Sequence, residues 1–123
     1  MTAHPTGIVF SEIPVADIAR AKTFYETLLN APMVIDTTAG PYAKAVLAFP
    51  EGTGVFGHIV EGKPATKGEG AITHIAIPDT LEDAMDRVKR GGGEVASDII
   101  TIPAGSFFYA HDTEENTIGV FKF

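Results

Sequence analysis

Between residues 7 and 15 apolar side chains fall on both alternating sets. Ile8 and Phe10 share one face with Glu12, and Val9, Ile13 and Val15 share the other with Ser11, which predicts a strand covered on both sides. Asp17 is placed to cap a helix, and Ile18, Ala21, Tyr25 and Leu28 recur along one stripe as far as about Asn30, with Phe24 as further core. Pro32 is the expected stop. The pattern returns to strands at 33–37, 42–49 and 55–60, separated by a turn at Gly40-Pro41 and a hairpin over PEGTG at 50–54. This half reads βαβββ.

EGKPATKGEG, residues 61–70, holds three glycines, one proline and four charged residues. With almost nothing to bury, it is expected to be a surface linker. The same order then repeats: a strand at 71–77, a helix at 80–90, and strands at 95–101, 106–110 and 117–123. Thr80 with Asp83 resembles a capping box, and Leu81, Ala84 and Val88 form the buried stripe. Gly91 to Gly93 end the helix by allowing a left-handed turn. HDTEEN at 111–116 is the polar hairpin equivalent to PEGTG, with His111 expected to be solvated.

The likeness of the halves extends to single residues. THIAIPD at 73–79 repeats SEIPVAD at 11–17, and at the same offset of 62 Pro41 falls on Pro103, Ala48 on Ala110 and Gly57 on Gly119. Only the helices slip by one, pairing Ala21 with Ala84 and Tyr25 with Val88. A nearly constant offset across elements and turns indicates a duplicated unit. The expected organisation is one domain over residues 1–123, with module 1 at about 7–60 and module 2 at about 71–123. A chain of this length buries about two thirds of its unfolded surface.

Composition narrows the function classes. Apolar residues make up 45% and charged residues 20% of the chain, the balance of a globular protein. Nine basic against sixteen acidic residues give a net charge of -7, so phosphate backbones and anionic membranes repel it. Nucleic acid and membrane are therefore not expected partners. With no cysteine there is no disulfide, thiol nucleophile or thiolate metal site. MTAHPTG lacks the basic and apolar segments of a signal peptide, and cytoplasmic is the expected location. No serine sits in a nucleophile elbow and no glycine-rich loop has phosphate-binding spacing.

IPVADIARAKTFYETLL, GGGEV after the second helix, IPAGSFFYAHD and ENTIGVF together resemble the vicinal oxygen chelate superfamily, the glyoxalase, bleomycin-resistance and dioxygenase group. The resemblance covers essentially the whole chain. It implies an α+β fold in which two tandem βαβββ modules form an open cup of eight strands in a mixed sheet, often completed by a homodimer. The group includes isomerases, lyases, ring-cleaving dioxygenases and non-catalytic drug binders, so the reaction does not follow from the fold.

The resemblance also implies metal ligands on the first and last strands of each module, where imidazole and carboxylate leave open positions for two substrate oxygens. His74 stands in such a context, and its repeat partner is Glu12. The family's spacing counted back from Asp17 and Asp79 points instead to Phe10 and Ile72. At the last strands the family's glutamates fall on Gly57 and Gly119, which supply no ligand. A bulge or close strand approach is one reading of these glycines and a widened ligand cavity the other.

If a divalent metal were bound, its ligands would be His74 and Glu12, with His58 joining them only if its strand shifts by one residue. His58 also reads as an ordinary strand histidine. Among Phe107, Phe108 and Tyr109 about half should reach the cavity by alternation.

The resulting reading is a bleomycin-resistance-type protein with a degenerate metal site and no required cofactor, binding a small organic molecule in the cup. Glu12 and His74 act on the ligand, and Phe10, Gly57, His58, Phe107, Tyr109 and Gly119 surround it. The competing readings are a metal-dependent lyase or isomerase of glyoxalase type, and a structural or regulatory dimer without a ligand. Glu12 and His74 are expected to face each other, holding the histidine protonated above its usual pKa near 6.5.

Overall fold

A computed structural model describes residues 6–8, 10–36, 44–46 and 56–123. The expected turn at Gly40-Pro41, the PEGTG hairpin, His4 and the repeat positions Pro41 and Ala48 lie outside the described residues. Of Phe10, Phe56, 34–36 and 44–46 only the backbone is described.

The first half runs β1 (Phe10–Val15), α1 (Ile18–Leu29), β2 (Val34–Asp36), β3 (Lys44–Val46) and β4 (Phe56–Glu61). The second runs β5 (Thr73–Ala76), α2 (Leu81–Arg90), β6 (Glu94–Val95), β7 (Ile100–Ile102), β8 (Gly105–His111) and β9 (Thr117–Lys122). In each half the opening strand pairs parallel with the closing one, β1 with β4 and β5 with β9. The fold is α+β. Among the described residues the strands form two sheets, in the orders β1-β4-β3-β2 and β5-β9-β8-β6, with β7 also on β8.

This differs from the expected eight strands because 95–101 is not one strand. The Ala96 amide donates to the Tyr109 carbonyl at 2.8 Å, but the Tyr109 amide donates to the Ser97 hydroxyl at 2.9 Å. With a side chain taking the place of the backbone acceptor, the chain leaves the ladder at Ser97 and rejoins it at Ile100.

Local signals account for the helices. Asp17 caps α1 by accepting from the Arg20 amide, and Thr80 caps α2 by accepting from the Asp83 amide at 3.1 Å. Asn30 ends α1 ahead of Pro32, in a left-handed conformation with φ 51°. After α2 the left-handed residue is Gly92, with φ 95°. Gly93 is needed for a different reason: a Cβ there would run into the Phe24 ring and the His111 carbonyl.

The helices cover one face of the sheets. Ile13, Val15, Ile75 and Ile77 point toward them and join Phe24, Tyr25, Leu28, Val88, Phe108 and Val120 in one buried cluster drawn from both halves. Arg87 of α2 reinforces this junction. Its Nε donates to the Leu28 carbonyl at the end of α1 at 2.9 Å, and its two terminal nitrogens hold the Asp79 carboxylate at 2.6 and 2.8 Å. The other face of the second sheet is left open.

The hairpin HDTEEN is not the solvated turn its composition suggests. Asp112, Glu114 and Asn116 are 4, 4 and 6% exposed. Glu114 Oε1 accepts from the amides of Ala16 and Asp17, and Arg20 grips both carboxylate oxygens at 2.7 and 2.8 Å. Asp112 accepts from the Tyr25 hydroxyl at 2.6 Å, and Asn116 Nδ2 donates to the Pro14 carbonyl at 2.8 Å. The hairpin of the second half thus satisfies backbone groups of the first, which explains why polar side chains are buried here. His111 is likewise covered, its side chain 14% exposed and bonded to Glu94 at 2.9 Å.

The linker meets its expectation in part. Most of 61–70 is exposed, yet the Ala65 amide donates to Asn116 Oδ1 and the Gly68 amide to Thr117 Oγ1, each at 3.2 Å. Among the described residues no helix is long and apolar enough to cross a membrane.

Candidate ligand site

Among the described residues, the open face of β5, β9 and β8 carries the most concentrated group of aromatic side chains. Alternation on β9 brings Gly119, Phe121 and, just beyond the strand, Phe123 to one face, and on β8 it brings Phe107 and Tyr109 to the same side. His74 on β5 stands in register with Gly119, which in turn is opposite Tyr109. The imidazole lies across the glycine: a Cβ at 119 would collide with His74 Nδ1 and with carbons of the ring. The glycine therefore marks a close approach, and the ring it admits forms part of a cavity wall.

Edge-to-face packing fixes that ring. His74 meets Phe107 at a centroid distance of 4.9 Å and an interplanar angle of 83°, with Tyr109 at 6.0 Å and Phe121 at 6.2 Å. Phe107 and Phe121 stack at 6.1 Å with planes 10° apart. Beside them opens a hollow of about 420 Å³ lined by His74, Ala76, Ile102, Phe107, Phe121 and Phe123, a size suited to a small organic molecule. Burial lowers the His74 pKa from its ordinary 6.5, because an apolar surround disfavours the charged ring.

That shift is opposite to the one expected from a Glu12 partner. Glu12 lines a different hollow, and no hydrogen bond or ion pair joins it to His74 among the described residues. What meets at the seam is the preceding pair, Ser11 and Thr73, whose hydroxyls share a hydrogen bond of 2.8 Å. They are also related by the offset of 62. The contact thus lies one residue away from the anticipated position. Because side chains alternate along a strand, that one-residue step puts Glu12 and His74 on the opposite faces of their strands from the pair that touches.

Of the other anticipated residues, Phe107, Tyr109 and Gly119 gather around His74. Gly57 and His58 belong to β4 in the other sheet, paired with Ser11 and Glu12, and line no part of the aromatic hollow. The Phe10 backbone is in β1 and its side chain is not described. Phe121, Phe123, Ala76 and Ile102 were missed by reading motifs rather than faces. Alternation from Gly119 along 117–123 is the signal that identifies the first two.

The donor set of this face does not fit a divalent ion. Among the described residues no three side chains of His, Asp or Glu converge, the ring contacts of His74 are aromatic, and the position opposite it is a glycine. A tightly held ion needs several convergent donors.

The sequence model of the Glyoxalase/Bleomycin resistance protein/Dioxygenase superfamily matches residues 4–120. The chain belongs to this superfamily. Solved structures agree on the fold. A glyoxalase/bleomycin resistance protein from Albidiferax ferrireducens is 21% identical and superposes with a TM-score of 0.70 over 94% of this chain and 98% of its own. A glyoxalase/bleomycin resistance protein from Catenulispora acidiphila, also 21% identical, gives 0.63 over 96% and 99%. The fosfomycin resistance protein FosX from Mesorhizobium loti, 16% identical, gives 0.66 over 96% and 92%. Among curated proteins none matches the sequence. At these identities the likeness is one of fold, so within the glyoxalase/bleomycin-resistance group the chemistry of this member must be argued from its own open face.

Proposed function

We propose that this protein binds a small, largely apolar organic molecule in the aromatic hollow of its second sheet and needs no divalent ion to do so. The observation that carries the proposal is the His74 ring laid over Gly119. It replaces the carboxylate of a metal site with a flat wall and leaves one imidazole, its pKa lowered by partial desolvation, as a hydrogen-bonding group among Phe107, Phe121 and Phe123. A neutral imidazole both donates and accepts, so it orients a carbonyl, hydroxyl or ring nitrogen of the ligand without selecting for charge. In this reading Glu12 contributes nothing to the aromatic hollow.

A second copy of the chain covers the mouth of the hollow. Phe123 and Ile102 at its rim are 85 and 41% exposed, and Ile100 beside them 38%; such apolar groups clustered on one face favour association.

The test combines elemental analysis of protein purified without chelator with a thermal-shift screen of monocyclic aromatic compounds. The expected result is substoichiometric metal and stabilisation by some of these compounds that is lost in His74→Ala. About one equivalent of a divalent ion, released by His74→Ala, would replace this reading with the metal-dependent lyase or isomerase.

A further inference from the structure

Four of the six described side chains that line the aromatic hollow are rings, His74, Phe107, Phe121 and Phe123, and three of the chain's eight phenylalanines are gathered there. Core packing does not account for this. Phe123 is 85% exposed, yet it stands 4.9 Å from Phe121 with planes 64° apart, and Phe121 in turn stacks with Phe107 at 6.1 Å. An aliphatic wall would exclude water equally well. What rings add is a negative π face. Neighbouring ring centroids here are 4.9 to 6.2 Å apart, so a group seated against them comes within the ~6 Å reach of cation–π attraction for more than one ring.

Charge points the same way. Among the described residues no lysine, arginine, aspartate or glutamate lines the hollow, and Lys122, between Phe121 and Phe123 in sequence, is turned to the Pro78 carbonyl at 2.8 Å. An anion therefore finds no counter-charge here, and a primary ammonium finds no carboxylate for its three N–H donors. A quaternary ammonium has no N–H to satisfy, its charge is spread over methyl groups, and the net charge of -7 favours its approach. We propose that the aromatic hollow selects a small quaternary ammonium compound, a choline-type cation whose methylated head rests on the phenylalanine rings and whose polar tail reaches His74. The methyl surface meets the apolar lining, and the charge is what the rings distinguish. This rests on the reading of the hollow as the ligand site and names the class of ligand that it takes.

Choline and neohexanol, in which a carbon replaces the quaternary nitrogen, share shape and hydroxyl and differ in charge alone. Titrations followed by amide NMR at about pH 8, where imidazole is uncharged, should show choline shifting the amides of Phe107, Phe121 and Phe123 saturably while those of Ala65 and Thr73 stay in place. Choline is expected to bind with a dissociation constant on the order of a millimolar and about tenfold more tightly than neohexanol, the effect of a desolvated cation–π contact. Phe121→Leu keeps an apolar wall without the ring and should erase most of that preference. Phe123→Leu, at an exposed position where the fold is not at risk, should reduce it. Equal binding of the two compounds would overturn the cation preference and leave the hollow a site for neutral ligands. So would a preference unchanged in both variants, or no saturable shift with choline while monocyclic aromatic compounds still stabilise the protein. Failure of every compound to bind would remove the ligand site itself, and the proposal with it.

Discussion

At position 119 a missing side chain determines the character of the site. Adding one methyl group there places Cβ against the His74 ring, and overpacking of this kind costs about 1–3 kcal/mol when neither partner can move freely. Gly119→Ala is therefore expected to lower stability in urea unfolding by about that amount, and most of the loss should disappear in a His74→Ala background. An equal loss in both backgrounds would mean that the glycine serves the backbone and not the ring. His74 itself makes a second prediction. Burial lowers its pKa from 6.5, so the unfolded chain takes up the proton more readily than the folded one. The contribution of this group is fully present above 6.5 and is lost as pH falls through the depressed folded value. An NMR titration giving a midpoint at or above the ordinary histidine value would refute the apolar surround. The sequence singled out His74, Phe107, Tyr109 and Gly119, which the fold brings together, but the sign of the pKa shift was not legible in it. That sign depends on whether Glu12 or aromatic carbon lies against the ring, and the strand pattern cannot separate contacts differing by a single step of register.

At the scale of elements, the strands and helices were largely legible from periodicity and caps, and the exceptions share one cause. HDTEEN reads as exposed because its side chains are polar, and the 95–101 segment reads as continuous because apolar residues flank Ser97 and Asp98 on both sides. In both places a polar side chain bonds a backbone group, Ser97 to the Tyr109 amide and Glu114 to the amides of Ala16 and Asp17. Hydropathy records that such a residue is polar but not what it faces. Glu114 is the most heavily engaged of them. The bidentate Arg20 guanidinium, with the amide of Asp17 and the Thr113 hydroxyl, holds its pKa down from 4.5 to about 2. A depressed carboxylate stabilises the fold above its unfolded pKa and ceases to do so as pH falls through its folded one, so this contribution, roughly 2–3 kcal/mol, is present at neutral pH and fades between 4.5 and about 2. Glu114→Gln should accordingly lower the urea midpoint strongly at about pH 7 and progressively less toward about pH 3. A difference independent of pH would assign the effect to shape alone.

For the whole molecule, the repeat was legible in the constant offset; each half pairs its opening strand parallel with its closing one, and the offset-related Ser11 and Thr73 hydroxyls meet. The apolar surface this duplication leaves uncovered could not be read from sequence, because Ile100, Ile102, Phe121 and Phe123 come together only once β7, β8 and β9 are paired. Water contact at this face is unfavourable, while a net charge of -7 opposes close approach of two copies. The apolar term acts at contact and the repulsion is screened over about 8–10 Å at physiological salt, so association should prevail there and weaken as salt is removed. Sedimentation at micromolar concentration is expected to give a dimer in physiological salt and a larger monomer fraction at low ionic strength. Phe123→Asp, at a position 85% exposed in the single chain, should give a monomer with little loss of the monomer's own stability. If that variant remains dimeric, the interface lies elsewhere and the aromatic hollow is open to water. If it is monomeric and still binds aromatic compounds as tightly as the parent, the second copy adds no wall to the site.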